Sequence, residues 1–194
     1  MQKNTSKDIV SLIFGDSIVY GLYDKEFGGW VNRVRIKLEQ RAKNNFIMNL
    51  GIPGQTSNDI LNILELEIKN RYNTNDRFNL IFSFGIKDSL LLNKDVNYLK
   101  KFEDNLSKII NISKNYTNNI YFLGLLRPDI NIRNEYILTN VKKIDNCIKN
   151  ICEKKGIYYI NINAILTTND LDDGLHPNSN GHQKISELIL TKIY

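Results

Sequence analysis

The chain has 194 residues, 42% of them hydrophobic and 24% charged, with a net charge of +5 and two cysteines. That length and balance fit an ordinary globular chain, most simply a single domain over residues 1–194 that buries a sizeable core. They exclude a membrane partner of the spanning kind, because no apolar run approaches the roughly 20 residues that a bilayer requires.

The positive charge does not read as a nucleic-acid surface. Lys and Arg are scattered among Asp and Glu, with no basic block and no interleaved aromatics. The chain is rich in Asn, Ile and Lys together, so the excess reads as coding bias on a solvated face. Cys147 and Cys152 lie five positions apart in a helical pattern. At about 100° per residue they point roughly 140° apart, so they read as thiols rather than a disulfide or a metal pair. The N-terminal stretch "MQKNTSKDIVSLIFGDS" holds an apolar segment of only about seven residues and no small-residue cleavage site. It reads as a first strand, not a leader, and the cytoplasm is the expected location.

In chain order, strands are expected at Ile9–Phe14, Phe46–Leu50, Asn79–Phe84, Ile120–Leu125 and Ile157–Ile162. Each is short, rich in Ile, Phe, Leu or Tyr, and bounded by polar residues or glycine. Helical stripes lie between them. Trp30, Val31, Val34 and Leu38 form the first; Ile60, Leu61, Leu64 and Ile68 the second, with Thr56 or Ser57 as its cap. Leu99, Phe102, Leu106 and Ile109 form the third, Val141, Ile144, Ile148 and Ile151 the fourth, and Ile185, Leu188, Ile189 and Ile193 the last. Alternating strands and helices predict an α/β fold with a parallel sheet covered on both faces. Right-handed crossovers make it a three-layer α/β/α, flavodoxin-like arrangement with strand order 2-1-3-4-5.

In such sheets ligands bind beyond the carboxyl ends of the strands. The loops there are 15–27, 51–56, 85–97, 124–134 and 163–178, and four of the five carry conspicuous residues. Gly15-Asp16-Ser17 follows the first strand, "NLGIPGQTS" the second, "SFGIKDS" the third and "DDGLHPNSNGH" the fifth. Acyl transfer needs a nucleophile, an adjacent base, a carboxylate to orient that base and N–H donors for the oxyanion. Ser17 can be the nucleophile and its own N–H, at the start of a helical turn, a donor. Gly51 N–H can be a second donor, because glycine lets backbone approach a ligand closely. His176 can be the base, with Asp173 three residues earlier to hold its far ring nitrogen.

The same residues resemble the GDSL, or SGNH, hydrolase superfamily. "GDSIVYG" resembles its first block, "NLGIPGQTS" its second around a glycine, and "DGLHP" its last block, Asp-x-x-His-Pro. "FSFGIKDS" sits where that family carries a Gly-x-Asn-Asp block. The resemblance implies a flavodoxin-like fold and metal-free, cofactor-free hydrolysis of esters, often acyl esters on sugars or lipids. By position it implies Ser17, Asp173 and His176 as a triad, with Ser17 and Gly51 as oxyanion donors. Lys87 stands where the family offers the asparagine that supplies a third donor. Either Lys87 donates in an altered oxyanion hole, or it pairs with Asp88 or Asp16 and leaves a two-donor hole. The Gly-x-Ser-x-Gly elbow of α/β-hydrolases is absent.

The neighbouring residues read more plainly. Asp16 is expected to bond loop amides beneath the serine, and Gly54 to shape its loop. Asp172 rivals Asp173 as the orienting acid. His182 reads as surface or helix-start packing, and two histidines without an acid cluster give no zinc site. Tyr20, Tyr23 and Trp30 read as packing or loop cover, with a substrate wall as the alternative. Arg127 and Arg133 read as solvated, with contact to an anionic substrate as the alternative. The expected function is a serine esterase on a small-molecule or carbohydrate ester, or else a lysophospholipase or thioesterase. A non-catalytic binding module is the rival from another class, and a flavodoxin-like receiver or nucleotide binder lacks its phosphate loop.

Overall fold

The computed structural model describes residues 7–194, so residues 1–6 of the stretch judged not to be a leader lie outside the described residues. Five strands form one parallel sheet: β1 Ile9–Gly15, β2 Asn45–Gly51, β3 Arg77–Ser83, β4 Ile120–Leu123 and β5 Tyr158–Ile160. Their order is β2-β1-β3-β4-β5, as expected. The helices are α1 Ser17–Tyr20, α2 Trp30–Arg41, α3 Ser57–Lys69, α4 Ile86–Lys94, α5 Tyr98–Lys114, α6 Leu138–Lys155 and α7 Ser179–Lys192. α2 packs with α7, while α3, α5 and α6 form a second group that α4 joins. Among the described residues no helix is long and apolar enough to cross a membrane.

Two helices occupy segments expected to be loops. α1 is a single turn, too short to show any period. α4 is nine residues, but it buries Asp88 and Ser89 beside Ile86 and Leu92, and those inward polar residues hide its apolar stripe. The second helix has the expected cap: the Thr56 hydroxyl accepts from Asp59 N while the Asp59 carboxylate accepts from Thr56 N.

The site stands on an aromatic floor. Phe14, Phe82 and Phe122 occupy matching positions on β1, β3 and β4. Their rings stack in a row, with centroids 5.5 Å and then 4.7 Å apart. All three are buried, and Phe14 lies three residues before Ser17. In register Gly15 faces Gly51 on one side and Ser83 on the other, so three strands end at one level. The loops that follow β1, β2 and β3 therefore leave from a common edge.

Candidate active site

The chain turns sharply after β1. A side chain at Gly15 would put a Cβ 2.1 Å from the Ser83 carbonyl oxygen and 2.3 Å from a Val19 methyl, so only glycine fits. Asp16 then caps α1: its Oδ1 accepts from Ile18 N at 3.0 Å. Gly21, at φ +100°, ends the turn. Ser17 is the first helical residue, and its own N–H has no hydrogen-bond partner among the described residues.

Burial pushes the Asp16 carboxyl up to about 7, with the Ile18 amide opposing and Asp88 adding to the rise. A carboxyl that binds its proton more tightly when folded favours the folded state most below its unfolded value of about 4. That preference is lost as pH rises toward 7. Asp16→Asn keeps an acceptor for Ile18 N but carries no charge to desolvate. In thermal melts this substitution should raise Tm at pH 8 and leave it unchanged near pH 4. Equal shifts at both pH values would count against a buried charge penalty.

Ser17 Oγ lies 2.9 Å from His176 Nε2, across 159 residues of sequence. His176 Nδ1 lies 2.9 Å from Asp173 Oδ2. Asp173 Oδ1 accepts from the amides of Leu175 and His176 at 3.0 and 2.8 Å. The Asp173 carboxyl is held below its ordinary value: burial opposes the charge, but the His176 amide and ring and the Leu175 amide outweigh it. With Asp173 ionised, Nδ1–H donates to it and Nε2 accepts from the serine hydroxyl, the tautomer a general base needs. The carrier loop is a small hairpin. Leu171 bridges Pro177, Asp172 N donates to the His176 carbonyl at 2.8 Å, and Gly174 turns at φ +80°. Asp172 contributes that amide, while its carboxylate meets Lys25 at 3.8 Å, so Asp173 alone faces the imidazole.

The other expected residues divide. Gly51 needs to be glycine, since a Cβ there would lie 2.4 Å from Tyr20 N. Its amide, however, donates to Asn49 Oδ1 at 3.0 Å and is not free for an oxyanion in this conformation. Gly54 sits at φ +81° in the turn that Gln55 N closes onto the Ile52 carbonyl, and its amide has no hydrogen-bond partner among the described residues. Lys87 does not pair with either expected acid. Asp88 is wholly buried and accepts from Ser57 N and Oγ and from the Tyr98 hydroxyl. Lys87 is exposed in the first turn of α4, with no ion-pair partner among the described residues.

Three residues have partners that the sequence did not specify. His182 is fully buried at the start of α7, the packing and not the surface alternative: its Nδ1 accepts from Trp30 N at 3.1 Å and its Nε2 bonds the Leu22 carbonyl at 3.0 Å. Burial holds its pKa below the ordinary value. Tyr23 adopts φ +66°, the one positive φ outside glycine among the described residues, and its ring sits 5.3 Å from that of His176. Arg133 is only partly solvated, its side chain 25% exposed, and it donates to Asp173 Oδ2 at 2.8 Å. Its position in a long loop gave no local signal for that bond. Trp30 is core, and Tyr20 is exposed beside a cleft of about 480 Å³ shared with Asn32 and Asn49.

The comparisons agree with this architecture. The structure resembles a catalytic mutant of an acetylxylan esterase from Geobacillus stearothermophilus, with a TM-score of 0.76 at 18% identity, covering 97% of this chain and 94% of that one. It also resembles the lipase/acylhydrolase from Enterococcus faecalis, with a TM-score of 0.76, 21% identity and 95% of each chain covered. The psychrotrophic esterase EstA from Pseudoalteromonas sp., inhibited by monoethylphosphonate, gives 0.75 at 20% identity over 95% of this chain and 96% of that one. These identities establish a shared fold. No curated protein matches the sequence. The model of the GDSL-like lipase/acylhydrolase family matches residues 13–184, nearly the whole chain. The chain therefore belongs to the GDSL-like lipase/acylhydrolase family and is a carboxylic ester hydrolase.

Proposed function

We propose that the protein cleaves carboxylic esters through an acyl-enzyme on Ser17, with His176 as the base and Asp173 as its orienting acid. The observation that supports it is the unbroken relay from Ser17 Oγ to His176 Nε2 and from Nδ1 to Asp173, each contact 2.9 Å. Ser17 Oγ attacks the acyl carbon while its proton passes to Nε2. The C–O bond to the leaving group then breaks, and His176 returns the proton to the departing oxygen. Water attacks the acyl-enzyme, gives its proton to the same nitrogen, and releases the acid with Ser17 reprotonated.

For the oxyanion, Ser17 N–H is one donor. We assign the second to the turn after β2. The unpartnered Gly54 amide is better suited than that of Gly51, which must first leave Asn49. A crystal structure of a phosphonate adduct decides it: the phosphoryl oxygen should lie within about 3 Å of the Gly54 nitrogen. Lys87 is the third donor in this proposal, supported by its exposure and its lack of an ion pair among the described residues. Lys87→Ala should lower kcat on a generic acetyl ester by about tenfold to a hundredfold, and Lys87→Asn should recover part of the loss. Matching rates in parent and both variants would remove Lys87 from the hole.

A carbohydrate O-acetyl ester is the favoured substrate. The supporting points are the likeness to acetylxylan esterase structures and the polar cleft of Tyr20, Asn32 and Asn49 beside α1. An acyl-chain series of p-nitrophenyl esters, run beside acetylated sugars, tests it. A preference for chains beyond about four carbons would favour the lysophospholipase or thioesterase alternative. Labelling of Ser17 by a fluorophosphonate separates an enzyme from a binding module; no labelling would favour the module.

A further inference from the structure

Asp173 reaches His176 from a loop, and a second loop grips Asp173 from behind. Arg133 lies between β4 and α6, forty residues away in sequence, and its guanidinium donates to Oδ2, the oxygen that also receives the imidazole N–H. The arginine is itself fixed. Its Nε donates to Glu135 at 2.8 Å, its backbone N–H to the Asp129 carbonyl at 2.8 Å, and its guanidinium lies 5.7 Å from the Tyr136 ring. The two loops are also joined directly, Asp129 N donating to the Gly174 carbonyl at 2.8 Å. A Cβ at Gly174 would lie 2.9 Å from the Ile132 side chain, so the glycine lets the second loop pack directly on the first.

We propose that Arg133 is a positioning residue of the catalytic centre, which fixes the Asp173 carboxylate and sets the pH at which His176 begins to work as a base. The inference rests on the esterase reading above. With Leu175, His176 and Arg133 all donating, both carboxylate oxygens carry two hydrogen bonds, and the carboxylate cannot swing away from the ring. A permanent cation on the shared oxygen also offsets part of the charge that would otherwise stabilise an imidazolium. The cation on that shared oxygen therefore opposes a positive charge on the imidazole. The other charged or titratable groups around the ring are Asp172 on its own loop, Glu135 beside Arg133, and Tyr23, Lys25 and Asp16 after β1. Tyr136, beside Arg133, and His182, on α7, are further titratable groups near it. Arg133 is the one of these that bonds the orienting acid.

The test is the pH profile of kcat/KM for Arg133→Gln and Arg133→Lys on a p-nitrophenyl ester. Arg133→Gln should move the acid limb to higher pH by on the order of one unit, while Arg133→Lys should keep most of the parent profile. In an Asp173→Asn background the same glutamine substitution should move the limb little. A uniform fall in rate with superimposed profiles would overturn the proposal, as would an equal shift in the Asp173→Asn background. NMR supplies a readout that needs no turnover, because the chain has two histidines. The ring signal perturbed by Ser17→Ala identifies His176, and its titration should move the same way in the Arg133→Gln protein; an unmoved titration would also overturn the proposal. A parent enzyme that turns over no ester would count against the esterase reading, while the NMR result would still decide the role of Arg133.

Discussion

Replacing Ser17 by alanine should lower kcat on a p-nitrophenyl ester by about four to six orders of magnitude, and replacing His176 as well should cost almost nothing more. A relay of proton transfers fails as a unit: without the hydroxyl there is nothing for the imidazole to deprotonate, and without the imidazole the hydroxyl stays neutral. Both side chains are small or loop-borne, so neither change opens a core cavity. Ser17 makes one side-chain hydrogen bond among the described residues, to His176 itself. Melting temperatures of the variants should stay within a few degrees of the parent, which separates lost chemistry from lost fold. Asp173→Asn belongs in the same series, with a loss of about ten-thousandfold from the wrong tautomer. Additive losses in the double variant, or a Ser17→Ala enzyme that keeps a hundredth of the parent rate, would contradict a Ser17 acyl-enzyme.

The largest effect on stability should come from the pair Asp24 and Arg33. Asp24 has no exposed side-chain surface and Arg33 only 7%. The contact is bidentate, with Arg33 Nε at 2.7 Å from Oδ2 and an Nη at 2.8 Å from Oδ1. The carboxylate also accepts from the amides of Gly29, Glu26 and Phe27, and Arg33 reaches on to Glu26 and Gln183. Asp24→Ala removes the buried, bidentate partner of the guanidinium and leaves it only the exposed Glu26 carboxylate as an ion-pair partner, at about 3–5 kcal/mol in urea unfolding. Asp24→Ala with Arg33→Ala should lose less than the sum of the two, since the second change removes the orphaned charge. The pH dependence has a definite sign. Burial opposes the Asp24 charge, but Arg33 and the amides outweigh it and hold the carboxyl far below its ordinary range. Its contribution is complete above about pH 4 and is lost as pH falls toward the lowered value. An Asp24→Ala protein within about 1 kcal/mol of the parent would sink this account.

This pair governs more than stability. It ties down the segment that places Tyr23 over His176 and Leu22 against His182, and so joins α2 and α7 to the mouth of the site. None of it was legible in the chain. Asp24 and Arg33 are nine residues apart, one in a loop and one on a helix, and nothing in their spacing marks them as partners. The partners of His182 were hidden for the same reason: helix-start packing was one of its two readings, but its two bonds go to residues more than 150 positions away, and local pattern cannot see them.

What was legible follows from periodicity and from termini. Alternating apolar runs and 3.6-residue stripes placed five strands and five helices, because burial on two faces demands that pattern. Ser17 stood out because it lies just beyond a strand, and Asp173 and His176 because they share the long loop between the last strand and the last helix. The bond that Gly51 makes was not legible: the glycine admits Tyr20, and its amide serves Asn49 in this conformation. Arg133 stayed hidden because the β4–α6 connection takes its course from the hairpin it lies against.

The separation of 159 positions between the proposed nucleophile and its base has a consequence for the birth of the enzyme. On the proposed mechanism, a chain emerging from the ribosome has its serine from the outset, yet it cannot attack an ester until the hairpin that carries His176 has docked against the first turn. Immature chains should therefore be inert toward esters. In refolding, regained turnover should trail the spectroscopic signs of secondary structure, because it reports one of the most distant closures in the molecule.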